Sequence, residues 1–317
     1  MFLNFSLKKQ GVLGMNSRNL DYIFSANDRR LYTLVDDKLN TKTLAEENGI
    51  KMPKTYGIIS YQDEIKKLAE MLEGYEEFVV KPAKGSGGGG ILVVTGRTKE
   101  KSGEKFLRAG GQEISPAALR YHIGNILGGL YALGGVRDRA IIEQRVDNIP
   151  LFRSLSGQGV PDIRLLVYRG VPVMGMLRLP TVKSRGRANL HTGGVGIGFC
   201  LKTGVTTQAL WKNRYVTHHP DTRRQLSGLK IPQWRAVMET AAKAGEMTGL
   251  GYLGADIVID RRHGPMLLEL NARPGIAIQT ANRTGLKPRL EAVDRDLHLL
   301  KTAEDKIAYA AENFAAE

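Results

Sequence analysis

The chain of 317 residues holds one cysteine, Cys200, so no internal disulfide can form, and the thiol is expected to pack as a small apolar group rather than act as a nucleophile. No apolar run reaches the ~18 residues that a membrane span needs. The first fifteen residues lack the basic, long apolar and small-residue regions of a secretory signal, so a cytoplasmic location is expected. No repeat of fixed period is visible, and the only low-complexity tract is Gly-Ser-Gly-Gly-Gly-Gly at 85–90, too short for a linker. Aromatic and basic residues do not interleave as in a nucleic-acid groove, and no nucleic-acid partner is expected.

Positive charge, by contrast, is plentiful. Lys and Arg number 46 against 32 Asp and Glu, a net +14 that favours anionic partners without choosing among them. Glycine, at 37 residues, is the enriched type and has to be interpreted position by position. A chain of this length can bury a full core and hold two lobes.

A helix is predicted over 36–48, capped by Asp36 and stopped at Gly49, which sets Lys38 in its first turn. A second helix starts at Ser60 with a capping spacing to Asp63 and an apolar stripe of Ile65, Leu68, Ala69 and Leu72. Phe78 to Val80 reads as a strand into Lys81-Pro82, and Ile91 to Thr95 as its return, so the glycines form a hairpin connection. Ser115-Pro116 opens a helix to about Gly128, and a strand from Ala140 ends in Glu143-Gln144-Arg145-Val146. Strands 162–168 and 171–179 turn at Arg169-Gly170. A polar stretch at 181–198 and an irregular segment to Pro232 follow, then a helix at about 233–248 and strands 252–260 and 265–271. This mixture is α+β, without regular βαβ alternation.

Three groups carry chemistry. Strand alternation puts Asp256 on the face opposite Ala255 and Ile257, and puts Glu269 with Asn271; a turn at Arg262-His263 sets Asp256 opposite Glu269. Opposed carboxylates repel and call for a compensating cation, and an all-oxygen set of this kind suits Mg²⁺. The second group is Lys81 and Lys84 with Gly85, Ser86, Gly87, Gly88 and Gly89, a phosphate-cradle candidate that is neither a Walker loop nor a Rossmann fingerprint, because a strand follows. The third is the basic loop Arg185 to Gly194, with bidentate donors for phosphate or carboxylate; alone it reads more readily as a solvated loop. His191 reads as a hydrogen-bonding loop residue, and His218-His219, without a further ligand at metal spacing, as surface.

Taken together, these groups resemble the ATP-grasp superfamily, and within it the RimK-type α-L-glutamate ligases, from about Asp36 to Gly285. Asp37-Lys38 resembles the first lysine helix of that family, Val80-Lys81-Pro82 with its glycines the second lysine and lid, and Glu143-Gln144-Arg145-Val146 the adenine hinge. Asp162-Ile163-Arg164 resembles its Asp-x-Arg, Arg187-Ala188-Asn189-Leu190 its Arg-x-Asn-Leu, and Glu269 to Gly275 its closing metal motif. The resemblance implies two α+β lobes clasping ATP between antiparallel sheets, with 1–35 a short extension in place of a front domain, 36–146 the first lobe, 147–290 the second and 291–317 a C-terminal helix. It implies that Lys38, Lys81 and the 84–90 loop hold phosphates, that Asp256, Glu269 and Asn271 hold Mg²⁺, or Mn²⁺ in its place, and that Arg164, Arg178, Arg187 and Asn189 serve catalysis. The implied reaction joins a carboxylate, with glutamate a candidate donor, to an amine through an acyl phosphate, releasing ADP and phosphate. The acceptor would be a peptide, protein or small amine, with anionic substrates favoured. Two alternatives are a sugar-linked or envelope-related acceptor and a non-catalytic ATP-binding module. Arg273 departs from the small residue common at its position and could bind an acidic substrate.

Overall fold

The computed structural model describes residues 9–85, 87–100 and 103–315. They divide into two compact units, one of residues 37–39 and 53–146, the other of residues 1–36, 40–52 and 147–317.

The smaller unit is built on a six-stranded antiparallel sheet. Its strands are β1 Thr55–Ile59, β2 Phe78–Pro82, β3 Leu92–Glu100, β4 Gly103–Arg108, β5 Glu113–Ile114 and β6 Ala140–Glu143, in the order β1-β6-β2-β3-β4-β5. β2 is a short Val-rich strand flanked on both sides, and Phe78 and Val80 are fully buried. Pro82 is tolerated there because β3 pairs with β2 only from Phe78 to Val80, so the missing N–H breaks no bond to β3. The connection between β2 and β3 is the glycine loop, as the sequence predicts. The helix Pro116–Leu127 starts at Ser115, whose hydroxyl accepts from Ala118 N–H, with proline at its first turn; it buries Leu119, Ile123, Ile126 and Leu127 against the sheet core.

The larger unit is built on a seven-stranded antiparallel sheet. Its strands are β7 Asp162–Tyr168, β8 Val171–Leu179, β9 Val195–Phe199, β10 Thr206–Trp211, β11 Arg214–Val216, β12 Tyr252–Asp260 and β13 Gly264–Asn271, ordered β11-β10-β9-β8-β7-β12-β13. Every residue of β8 and β12 is buried, which explains their nearly unbroken apolar sequences. The helix Trp234–Thr248 packs on this sheet through Val237, Met238, Ala241, Ala244 and Gly245; a Cβ on Gly245 would meet Val167 at 2.9 Å.

Several expectations need correction. β9, β10 and β11 occupy part of what reads as polar or irregular sequence. In Val-Gly-Ile-Gly-Phe the glycines hide the alternation, yet they are required: a Cβ on Gly196 would meet Leu190 at 2.8 Å and one on Gly198 the Ala281 carbonyl at 2.6 Å. β10 and β11 turn at Lys212-Asn213, both with positive φ, a hairpin geometry usually signalled by Asn-Gly. The first-lysine helix runs Lys38–Glu47 with its cap one residue later, since Leu39 N–H donates to the Asp37 carboxylate. The segment after Ser60 begins as a 3-10 turn, Gln62–Lys67, because Glu64 rather than Asp63 reaches back to Ser60 N–H; Ala69 is exposed. Described residues before Asp36 do not stand apart, since Leu13, Tyr22, Ile23, Tyr32 and Val35 join the core of the larger unit. The tail forms two helices, Lys287–Asp296 and Ala303–Asn313, because Thr302 and Asp305 form a capping box that starts a new helix. His219 is buried, with Nε2 on the Pro180 carbonyl at 3.0 Å, whereas His218 is exposed; Cys200 is only half-buried.

Candidate functional site

In the larger unit β12 lies between β7 and β13, and the register sets Asp256 opposite Glu269 on one side and Arg164 on the other. The predicted opposition of the two carboxylates is therefore present. The compensating cation is not left to a metal, however. Arg164 donates Nε to Asp256 Oδ1 at 2.6 Å and Nη2 to Oδ2 at 2.5 Å, a bidentate fork. Arg178, opposite Asp162 in the β7–β8 register, donates Nη2 to Asp256 Oδ2 at 2.8 Å and Nε to Asp162 Oδ1 at 2.6 Å. One arginine thus bridges two aspartates, and Asn271 Nδ2 approaches Asp256 Oδ2 at 3.4 Å.

Burial penalises the charge of both aspartates, but the outcomes differ. For Asp162 burial wins over Arg178, and its pKa is pushed up to about 6. For Asp256 burial is outweighed by Arg164 and Arg178, which hold the carboxyl below the usual range. Burial opposes the charge of Arg178 as well, yet Asp162 and Asp256 outweigh it and keep the guanidinium protonated.

This donor set fits Mg²⁺ on chemical grounds. Asp256, Glu269 and Asn271 carry side-chain oxygens on adjacent strands, and carboxylate oxygens bound by arginine keep further lone pairs. No cluster of three or more His, Cys, Asp or Glu able to hold a metal occurs among the described residues.

In the smaller unit Lys81 and Glu143 share a sheet face, since Val79 lies opposite Glu143. Lys81 Nζ pairs with Glu143 Oε1 at 2.5 Å, with both side chains nearly inaccessible. Lys38 Nζ donates to the Gly85 carbonyl at 2.6 Å. The backbone on either side is tied down: Lys38 N–H donates to Ala83 O, and Lys84 N–H to both oxygens of Asp138 at 3.0 Å. Gly87 and Gly88 take positive φ, which opens the loop backbone to a conformation other residues resist. Ser86 lies outside the described residues. After β6, Gln144 N–H donates to Lys54 O, Arg145 forks onto Glu77, and Val146 is buried.

Arg187 and Asn189 do not join the hydrogen bonds around Asp256. Arg187 is exposed, and Asn189 Oδ1 is taken up capping the turn Leu190–Thr192 through His191 N–H. Sequence reasoning missed Asp138 and the partnership of Glu143 with Lys81, both made by residues more than fifty positions apart that carry no local signal.

A chain with a lysine at the end of a sheet strand, another opening a helix beside it, a glycine hairpin, and an Asp/Glu/Asn set on a second antiparallel sheet has the parts of an ATP-grasp protein. The family model "Sugar-transfer associated ATP-grasp" matches residues 17–295, and the chain belongs to that family. It is similar to a "Probable alpha-L-glutamate ligase" of Thioalkalivibrio sulfidiphilus, 25% identical over 269 residues, which span 84% of this chain and 66% of that protein. A protein of the same description in Stutzerimonas stutzeri is 23% identical over 256 residues, 80% of this chain and 61% of that one. The chain therefore spans somewhat under two thirds of these relatives. Among solved structures it resembles D-cycloserine synthetase DcsG, with 15% identity, a TM-score of 0.46, and coverage of 90% of this chain and 73% of that one.

Proposed function

We propose that the chain is an ATP-dependent carboxylate–amine ligase that activates a carboxylate as an acyl phosphate and releases ADP and phosphate. The observation that carries this reading is the alignment of Asp256, Glu269 and Asn271 beside two fixed guanidinium groups. The similarity to glutamate ligases supports glutamate as donor, and the net +14 supports an anionic substrate.

Lys38, Lys81, Lys84 and the backbone of residues 85–89 bind phosphate oxygens, and Glu143 to Val146 take the adenine through main-chain groups. Gln144 N–H is already committed to Lys54 O, so the adenine would be met by other main-chain groups of this segment. Asp256, Glu269 and Asn271 would hold Mg²⁺, which would supply positive charge to the phosphate oxygens. Mn²⁺ is the substitute that the same oxygens would accept. Arg164 and Arg178, locked by aspartates, supply fixed positive charge to the acyl phosphate and to the oxyanion formed on amine attack. Arg187, exposed and unlocked, is the arginine able to move to the substrate, and Asn189 shapes its loop.

One asymmetry separates the roles. The arginine forks cannot swing without stranding buried carboxylates, whereas the lysine on a flexible stem can exchange a backbone carbonyl for a phosphate. The family description favours a second reading, in which the acceptor amine is sugar-linked. Purified protein with ATP and Mg²⁺ should release ADP and phosphate when given an amino acid together with an amine, and amino sugars belong in that panel. Nucleotide binding with no turnover stimulated by any carboxylate–amine pair would instead favour a non-catalytic ATP-binding module.

A further inference from the structure

Arg273 interrupts the motif that closes the metal set, and its surroundings are unusual for an exposed arginine. The carbonyls on both sides of it are fixed by one segment near the N-terminus. Asn27 Nδ2 donates to Ala272 O at 3.2 Å, while the same amide brackets Tyr252, donating to its carbonyl at 2.7 Å and accepting from its N–H at 2.8 Å. The buried Arg18 donates Nη1 to Pro274 O at 2.8 Å. The guanidinium of Arg273 rests on the ring of Tyr32, 5.0 Å from its centroid. Three side chains from residues 18–32 therefore immobilise one residue.

The loop also lies beside the Asp256 cluster. The space a Cβ on Gly254 would fill is taken by Pro274 at 2.8 Å, with Arg164 Nε at 3.8 Å. Arg273 makes no ion pair among the described residues, so its charge is uncompensated and much of its rotamer entropy is already spent. A cation held ready in this way has an anion to receive. We propose that Arg273, oriented by Tyr32 and by the Asn27 and Arg18 anchors, is an oxyanion-binding residue that reads a carboxylate or phosphate of the substrate rather than of the nucleotide. This rests on the ligase reading of the same site.

The test is titration of full-length protein preloaded with Mg²⁺ and a non-hydrolysable ATP analogue, in two arms: L-glutamate against L-glutamine, and O-phospho-L-serine against L-serine. In at least one arm the wild type should prefer the anion by about tenfold. Arg273→Gln should erase that preference, Arg273→Lys should keep part of it, and Tyr32→Leu should reduce it, with analogue affinity unchanged in all three. A wild type with no preference in either arm, or an Arg273→Gln variant that keeps the preference, overturns the proposal. Failure of the wild type to bind the analogue would overturn the underlying ligase reading as well, and is a separate readout.

Discussion

Each sheet carries a buried set of opposite charges, and the two are built differently. In the six-stranded sheet one lysine faces one glutamate, Lys81 and Glu143, and a second lysine rests on a backbone carbonyl. In the seven-stranded sheet two arginines and two aspartates interlock, so that Asp256 receives three bonds from arginines and Arg178 serves two acids. In the first set Lys38 is the group proposed to exchange its carbonyl for a phosphate, since Lys81 could leave only by stranding the buried Glu143. The second is rigid, and its near balance of charge means that a divalent cation gains little there alone and more in company with phosphates.

Breaking the interlocked set should have the largest effect. Asp256→Asn removes the charge that the buried Arg178 and the half-buried Arg164 share, and unfolding stability should fall by about 5 kcal/mol; a loss below about 1 kcal/mol would show that the forks find other partners. The simpler pair should respond more mildly and be repairable. Lys81→Met leaves Glu143 buried opposite an apolar chain, at a cost of about 3 kcal/mol, whereas adding Glu143→Leu should restore most of the stability without restoring nucleotide affinity, measured by denaturant melts and analogue titration. Recovery of both would make the pair purely structural.

Protonation sharpens the contrast within the rigid set. Asp162 is raised to about 6, so the folded protein retains a proton that the unfolded chain releases from about pH 4 upward, and this residue's contribution to stability falls as pH rises between the two, by at most about 3 kcal/mol. Asp256 is lowered, so its stabilising contribution is present above the ordinary carboxylate range and is lost as pH falls below it. Carbon-13 carboxyl titrations should show the two midpoints on opposite sides of the ordinary value, and Asp162→Asn should flatten the slope between pH 4 and 6. The smallest effect is expected at the loop: Asn189→Ala removes a cap and should cost about 1 kcal/mol or less, with analogue binding intact.

The strands that bear the charged sets were legible because they are buried and apolar; Asp256 does face Glu269, but through a bulge between Asp256 and Ile257, since the hairpin itself pairs Asp260 with Gly264 and is centred on Arg262. The glycine hairpin and the Ser115 cap were equally readable. What was hidden depends on contacts remote in sequence. β9 needs glycines for close approach of Leu190 and Ala281, and β10 and β11 turn through a Lys-Asn pair that sends no hairpin signal. The counter-charge for Asp256 was anticipated as a metal alone, because nothing local announces that Arg164 and Arg178 project onto the same face until strands β7 and β8 are laid beside β12.

If Asp256, Glu269 and Asn271 meet a magnesium nucleotide, the ratio of ATP-analogue affinity with Mg²⁺ to that in chelator measures it directly. Wild-type protein should bind at least about tenfold more tightly with the metal, and Glu269→Gln should bring the ratio close to one while Lys81→Met weakens binding under both conditions. A ratio that survives unchanged in Glu269→Gln would contradict the assignment.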